Sequence, residues 1–148
     1  MRRATLAIRY CAAATAVIVS STLAGCSSDR TQAAQVVEAV RRFRRADNRD
    51  KPAMAEALGA VRCTLADVCR VRDDCLASAE ATAKALRLKN EVEIGISALK
   101  SGALARDSAE AEALPRKLDE AETLLKAGFE RMPACDDSIR VLKRKYGI

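Results

Sequence analysis

Apolar residues recur every three or four positions through most of residues 31–148, the period of an α-helix rather than of a strand. Ala33, Val36, Val37, Val40 and Phe43 fall on one face of a first helix. Asp29 or Thr31 can cap it, and it is expected to run to about Asn48. Asp47-Asn48-Arg49-Asp50 is a turn sequence, with Asp50 as the next N-cap and Pro52 in the first helical turn, where proline is tolerated. Met54, Leu58, Val61, Leu65 and Val68 make the following amphipathic face. That helical stretch continues through Cys75, Leu76, Ala79, Ala83 and Leu86 to a weak turn at Lys89-Asn90. Val92, Ile94, Ile96 and Leu99 alternate briefly around Gly95, so a strand competes there. A lone strand would have no partner, and a short helix ended by Ser101-Gly102 is expected instead. Asp107-Ser108-Ala109-Glu110 has the form of a capping box, with Asp in place of Ser or Thr. Leu118, Ala121, Leu125 and Phe129 give the next helix its apolar face, with a kink or restart at Pro115 and an end at Pro133. Asp136 or Asp137 caps a last short helix, with Ile139 and Leu142 inward and Gly147 as its stop. The pattern predicts an all-α fold, a small antiparallel bundle of four or five helices.

The first 26 residues follow a different pattern. Arg2, Arg3 and Arg9 precede a mostly apolar run, Cys11 to Leu23, that is too short to span a bilayer as a helix. This is the layout of a cleavable signal peptide. Leu23-Ala24-Gly25-Cys26 closes it and resembles the lipobox of bacterial lipoproteins. The resemblance implies cleavage before Cys26 and acylation of its thiol. Residues 1–25 are then a leader, 26–30 a lipidated polar tether, and 31–148 the helical domain. Two or more acyl chains anchor a protein stably. Ser27, rather than Asp, follows the cysteine, and by the same resemblance the outer membrane, facing the periplasm, is the expected location.

Loss of the leader changes the charge. The whole chain has 26 basic and 20 acidic residues, net +6. Three of the basic residues lie in the leader, leaving 23 against 20, net +3. Nucleic acid is not an expected partner in the envelope. Arg41-Arg42-Phe43-Arg44-Arg45 is the densest basic cluster. Because arginine pairs well with phosphate, Arg41, Arg42, Arg44 and Arg45 are candidates for binding anionic lipid, lipopolysaccharide or peptidoglycan. The plainer reading is a solvated helix face. Arg140, Lys143, Arg144 and Lys145 form a second basic end, and Asp107 to Glu122 is acidic.

Four cysteines remain besides Cys11 and Cys26: Cys63, Cys69, Cys75 and Cys135. An even count in an oxidising compartment suggests two disulfides. Any full pairing joins two of Cys63, Cys69 and Cys75. Residues six apart on one helix lie about 9 Å apart along its axis, beyond the Cα separation of roughly 7 Å that a disulfide allows. Either the helix breaks between Cys63 and Cys75, or the four cysteines are not all bridged to one another. A break at Arg70-Val71-Arg72-Asp73, with Asp73 or Asp74 capping a fresh helix, predicts Cys69–Cys75 and Cys63–Cys135. A metal site is the weaker alternative: the chain has no histidine, and three such cysteines point about 120° apart on a continuous helix. No cofactor is expected. Without histidine, and with its paired acids adjacent in sequence, the chain points away from catalysis, and a carboxylate-based enzyme is the least expected reading. A tethered helical module that binds another envelope protein or its own copies is the expected role, not an enzyme.

Overall fold

The computed structural model describes residues 24–148, with side chains from Ser28 onward. Residues 1–23 of the expected leader, 1–25, and the Cys26 side chain lie outside the described residues, and Ala24 and Gly25 fall in α1. Four helices follow in order: α1 (Ala24–Arg45), α2 (Lys51–Gly59), α3 (Ala66–Ser101) and α4 (Ala109–Tyr146). The all-α, disulfide-stapled bundle expected from periodicity is what forms, and no strand occurs among the described residues.

α1 starts earlier than expected. Residues 26–30, anticipated as a tether, are helical, and no Gly or Pro lies between Cys26 and Thr31 to stop the helix. It ends at Arg45 because Lys51 reaches back over the last turn. The Lys51 ammonium donates to the carbonyls of Phe43 (3.2 Å) and Ala46 (2.8 Å) and sits over the Phe43 ring. α2 is short and begins with Pro52 in its first turn.

The helix break lies between α2 and α3, not at residues 70–73. Residues 60–65 form a non-helical linker, and Arg72 fastens it by donating to the Val61 carbonyl at 3.0 Å. This corrects the disulfide pairing. Cys63 sits in the linker and Cys69 in the first turn of α3, so they bridge with a Cα separation of 5.4 Å. Cys75 lies further along the same unbroken helix, out of reach of Cys69, and bridges to Cys135 of α4 with a Cα separation of 4.7 Å. Neither Cys69–Cys75 nor Cys63–Cys135 forms. Asp73 and Asp74 cap nothing: Asp73 pairs with Arg72, and Asp74 accepts from Ser138 at 2.8 Å.

α3 and α4 are also longer than expected. α3 runs straight through Lys89-Asn90 and absorbs the short helix anticipated at residues 92–99, until Gly102 takes up a left-handed conformation (φ 77°). α4 runs through both Pro115 and Pro133. Each proline removes one backbone bond and interrupts an isolated helix, but both lie on the solvent side, where water serves the freed carbonyl. The packed side supplies the continuity. Buried α4 residues Leu114, Ala121, Gly128, Cys135 and Leu142 are spaced by sevens, and so are Val71, Ser78, Ala85 and Val92 on α3. This is the spacing of an antiparallel coiled-coil seam. The seam is built from small residues and is close. A Cβ on Gly128 would stand 2.6 Å from the Thr82 hydroxyl and 3.1 Å from the Ser78 carbonyl oxygen. In the space left, the Ser78 hydroxyl donates to the Gly128 carbonyl at 2.7 Å.

α1 and α2 pack on one end of this hairpin, its base. There Ala33, Val36, Val40, Leu58, Val68, Val71, Cys75 and Leu142 share one core. Neither α1 nor α2 covers α3 beyond about Leu88 or α4 before about Ala134, and this uncovered stretch is called the arm. Only its tip beyond about Glu120 projects past the base, while its α4 residues 121–134 run beside base residues of α3. α3 has 36 residues, so the tip stands about 50 Å from the start of that helix.

Candidate interaction surface

The arm carries most of the exposed apolar surface. Of seven large hydrophobic residues exposed in the described chain, Ile94, Ile96, Leu118, Leu125, Phe129 and Met132 lie on it, and only Val141 lies on the base. Phe129 is 72 % exposed. Monomeric proteins scatter single apolar residues over their surfaces, but contiguous patches mark contacts. Four of these six are contiguous in pattern. Leu118, Leu125, Phe129 and Met132 are spaced by seven, four and three, which aligns them along one stripe of α4.

This stripe corrects the expected apolar face of α4. Of Leu118, Ala121, Leu125 and Phe129, only Ala121 is buried. The helix turns its small residues inward, at a seam about 60° round from the stripe, because small residues let two helices approach most closely. One more turn along the stripe brings Asp136, to which Arg44 of α1 binds. α1 ends one residue after Arg44. The side of α4 that α1 covers at the base thus continues as the bare apolar stripe of the arm.

The four candidate arginines are dispersed by the fold. Arg41 and Arg42 both pair with Glu38, Arg42 at 3.2 Å. Burial pushes the Glu38 carboxyl up, but the two guanidinium groups outweigh that effect and hold it below its ordinary value. Arg44 is committed to Asp136 and also donates to the Cys135 sulfur at 3.4 Å. Only Arg45 of the four makes no ion pair among the described residues. The cluster also lies far from the expected anchor, since Cys26 and Arg41 are about 22 Å apart along α1.

A different basic surface gathers where α1 begins. Arg30 donates to the Gly147 carbonyl at 2.9 Å, and the Thr64 backbone N–H donates to Gln32 at 2.8 Å. Lys145 pairs with Asp67 at 2.6 Å, and the Tyr146 hydroxyl donates to the same carboxylate at 3.0 Å. These contacts bring the start of α1, the linker, the start of α3 and the end of α4 to one end of the bundle. The hydrogen bond from Lys145 holds the Asp67 carboxyl below its ordinary value against some desolvation, with a smaller pull from Tyr146. Burial, and then the contact with Asp67, push the Tyr146 hydroxyl up. Arg30 and Arg62 also edge a groove of about 870 Å³ between α1 and α2, over Ala34, Met54 and Val61.

The adjacent acids are structural. Asp73 and Asp136 hold arginines, Asp137 pairs with Arg140 at 3.1 Å, and Asp74 takes the Ser138 hydroxyl. Among the described residues no three His, Cys, Asp or Glu side chains gather as a metal-binding group, and no helix is long and apolar enough to cross a membrane.

The sequence signal for the stripe was present but assigned to the wrong side. The signal for the basic end was split over Arg30, Arg62, Arg70 and the last turn of α4, and only the last of these shows in the sequence as a local cluster. Compared with known proteins, the chain matches no family model, no curated protein and no solved structure.

Proposed function

We propose that this chain is a lipid-anchored helical interaction module of the bacterial envelope. On this reading Cys26 carries the lipid, the base roots the molecule, and the arm offers the stripe Leu118–Leu125–Phe129–Met132 to an amphipathic helix of another envelope protein. The stripe carries the proposal. It is apolar and exposed, and it lies in line with the α4 residue that receives α1, so a docked helix would prolong the packing that α1 begins at the base. Burying several such side chains supplies affinity without any pocket. The lipobox resemblance of Leu23-Ala24-Gly25-Cys26 supports the anchor.

In-cell photo-cross-linking tests the reading. A photoreactive residue at Leu125 or Phe129 is expected to capture one envelope protein, and the same residue at Asp47, on the exposed α1–α2 turn, to capture none. Phe129→Lys should abolish capture from Leu125 and leave folding intact. Adducts only between copies of this chain would make the partner a second copy. No adduct from the stripe removes the proposal.

A further inference from the structure

We propose that the end of the bundle where α1 begins is a basic foot that rests on an anionic phospholipid surface, with Arg30, Arg62, Arg70, Lys143 and Arg144 meeting its phosphates. The inference deepens the anchored reading above and moves the membrane contact away from Arg41–Arg45.

Three observations carry it. The first is convergence: the five cations come from four separate segments that the contacts at Gly147, Gln32 and Asp67 draw to one end. The second is lack of compensation. Along the flanks several cations face carboxylates, as Arg87 does Glu56, Lys84 does Glu120 and Lys117 does Glu91, although Arg45, Arg49, Lys100, Arg106 and Arg116 also lack an ion pair among the described residues. At the foot, Arg62, Arg70, Lys143 and Arg144 are exposed, and their side chains have no hydrogen bond or ion pair among the described residues. The two acids nearby leave this end net positive: Asp67 is already held by Lys145 and Tyr146, and Asp29 is a single carboxylate against the five cations. The third is position. Cys26 falls in the first turn of α1, so an acylated cysteine would deliver this end, and no other, to the bilayer.

Phosphate headgroups attract arginine and lysine within a Debye length of about 8–10 Å. The Arg41–Arg45 cluster starts about 22 Å up α1 and lies beyond that range when the foot is down. The foot thereby does what a lipid tether alone does not: it fixes which way the arm points.

Lysine footprinting on the full processed protein decides this. The protein is extracted from membranes and its intact mass is measured. It is then placed in vesicles of phosphatidylcholine, alone or mixed with phosphatidylglycerol, and labelled with a membrane-impermeant amine reagent. Lys143 reads the foot, and Lys126, exposed on the arm, is the internal reference. Phosphatidylglycerol is expected to slow Lys143 labelling about threefold or more relative to Lys126. About 0.5 M sodium chloride should reverse the protection. A variant with Arg30, Arg62, Arg70 and Arg144 changed to Gln should lose it while Lys126 labels as before. Equal Lys143 labelling in the two vesicle types overturns the proposal. A mass without lipid on Cys26 rejects the anchor instead. The same labelling, with vesicles added to the unlipidated protein, then still decides whether the foot binds.

Discussion

At the base, four helices share a core; along the arm, two helices share only each other. The two regions come from the same pair of helices, α3 and α4, with the same seven-residue spacing of buried positions. What differs is what covers the flank of the seam. At the base, Ile139 and Tyr146 lie partly buried against the common core. Along the arm, Leu118, Leu125, Phe129 and Met132 have no α1 above them and stay exposed. Ala85, Val92, Leu114 and Ala121 are buried in the seam, but none belongs to the cluster that unites the base. A helix with one partner buries a narrow stripe, and one with several buries a wide face. An apolar flank kept where nothing covers it serves contact better than it serves folding.

The largest way to break the contrast is to remove the Cys75–Cys135 bridge, which stands where base meets arm. It closes a loop with a sequence separation of 60, worth about 4 kcal/mol in the loop-entropy model. Cys75→Ala with Cys135→Ala should lower stability by an amount of that order in denaturant unfolding. The Cys63–Cys69 bridge spans a separation of only six, and the same model gives it about half as much. Equal losses from the two double variants would show that the staple is not what joins arm to base.

Truncating apolar side chains sharpens the comparison next. Leu58 is fully buried in the base, and Leu58→Ala should cost about 2–5 kcal/mol. Phe129 is the larger side chain but lies mostly in solvent, so Phe129→Ala should change stability by no more than about 0.5 kcal/mol. A large loss from Phe129→Ala would mean that the stripe is folded against something within the molecule.

Much of this difference was legible in the sequence, and the part that was not has a physical cause. Helix type, the Asp47–Asp50 turn, the Ser101-Gly102 stop and the inward face of α1 follow from local pattern, and each forms as expected. The cap of α4 falls one residue later than the expected Asp107: the Ser108 hydroxyl accepts from the Ala111 N–H at 3.2 Å. Periodicity shows that an apolar stripe exists but not how many neighbours will cover it. Leu118, Leu125 and Phe129 look like core because most such stripes are core, whereas the real seam of α4 hides in Ala121 and Gly128. The disulfides failed for a related reason. A break between Cys63 and Cys75, one of the two alternatives, does occur, but Arg70–Asp73 and Ala60–Leu65 differ little in propensity, and the Arg72 contact with Val61 favours the linker. Tertiary packing likewise carries α4 through Pro115 and Pro133 against local preference.

Within the arm, the closeness of the seam is open to a smaller perturbation. In an exposed helix Gly→Ala is stabilising. At Gly128 the added methyl meets the Ser78 carbonyl and the Thr82 side chain, which belong to the facing helix. Gly128→Ala should therefore cost about 1–3 kcal/mol and raise amide exchange around residues 78–82 and 128 and outward to the tip, more than it does in α1. A neutral or stabilising outcome would mean that the helices part easily there, and that the arm is a loose pair rather than a rigid one.

The smallest expected effect belongs to the opposite end, at Asp67. Lys145 and Tyr146 tie this carboxylate to the last turn of α4, and its folded pKa is lowered. A carboxyl with a lowered folded pKa adds stability at pH values above its ordinary value, and that contribution is lost as pH falls through the folded value. Asp67→Asn should thus lower Tm at neutral pH, with the deficit closing as the solution is acidified to about pH 3 and below. The pair is exposed and screened, so the shift should be only about one or two degrees and should shrink in salt. A deficit unchanged across that pH range would assign the role of Asp67 to its hydrogen bond with Tyr146 rather than to its charge. The base would then be held at its root by the same short-range packing that holds the arm's seam, with its ring of cations left free for a surface outside the molecule.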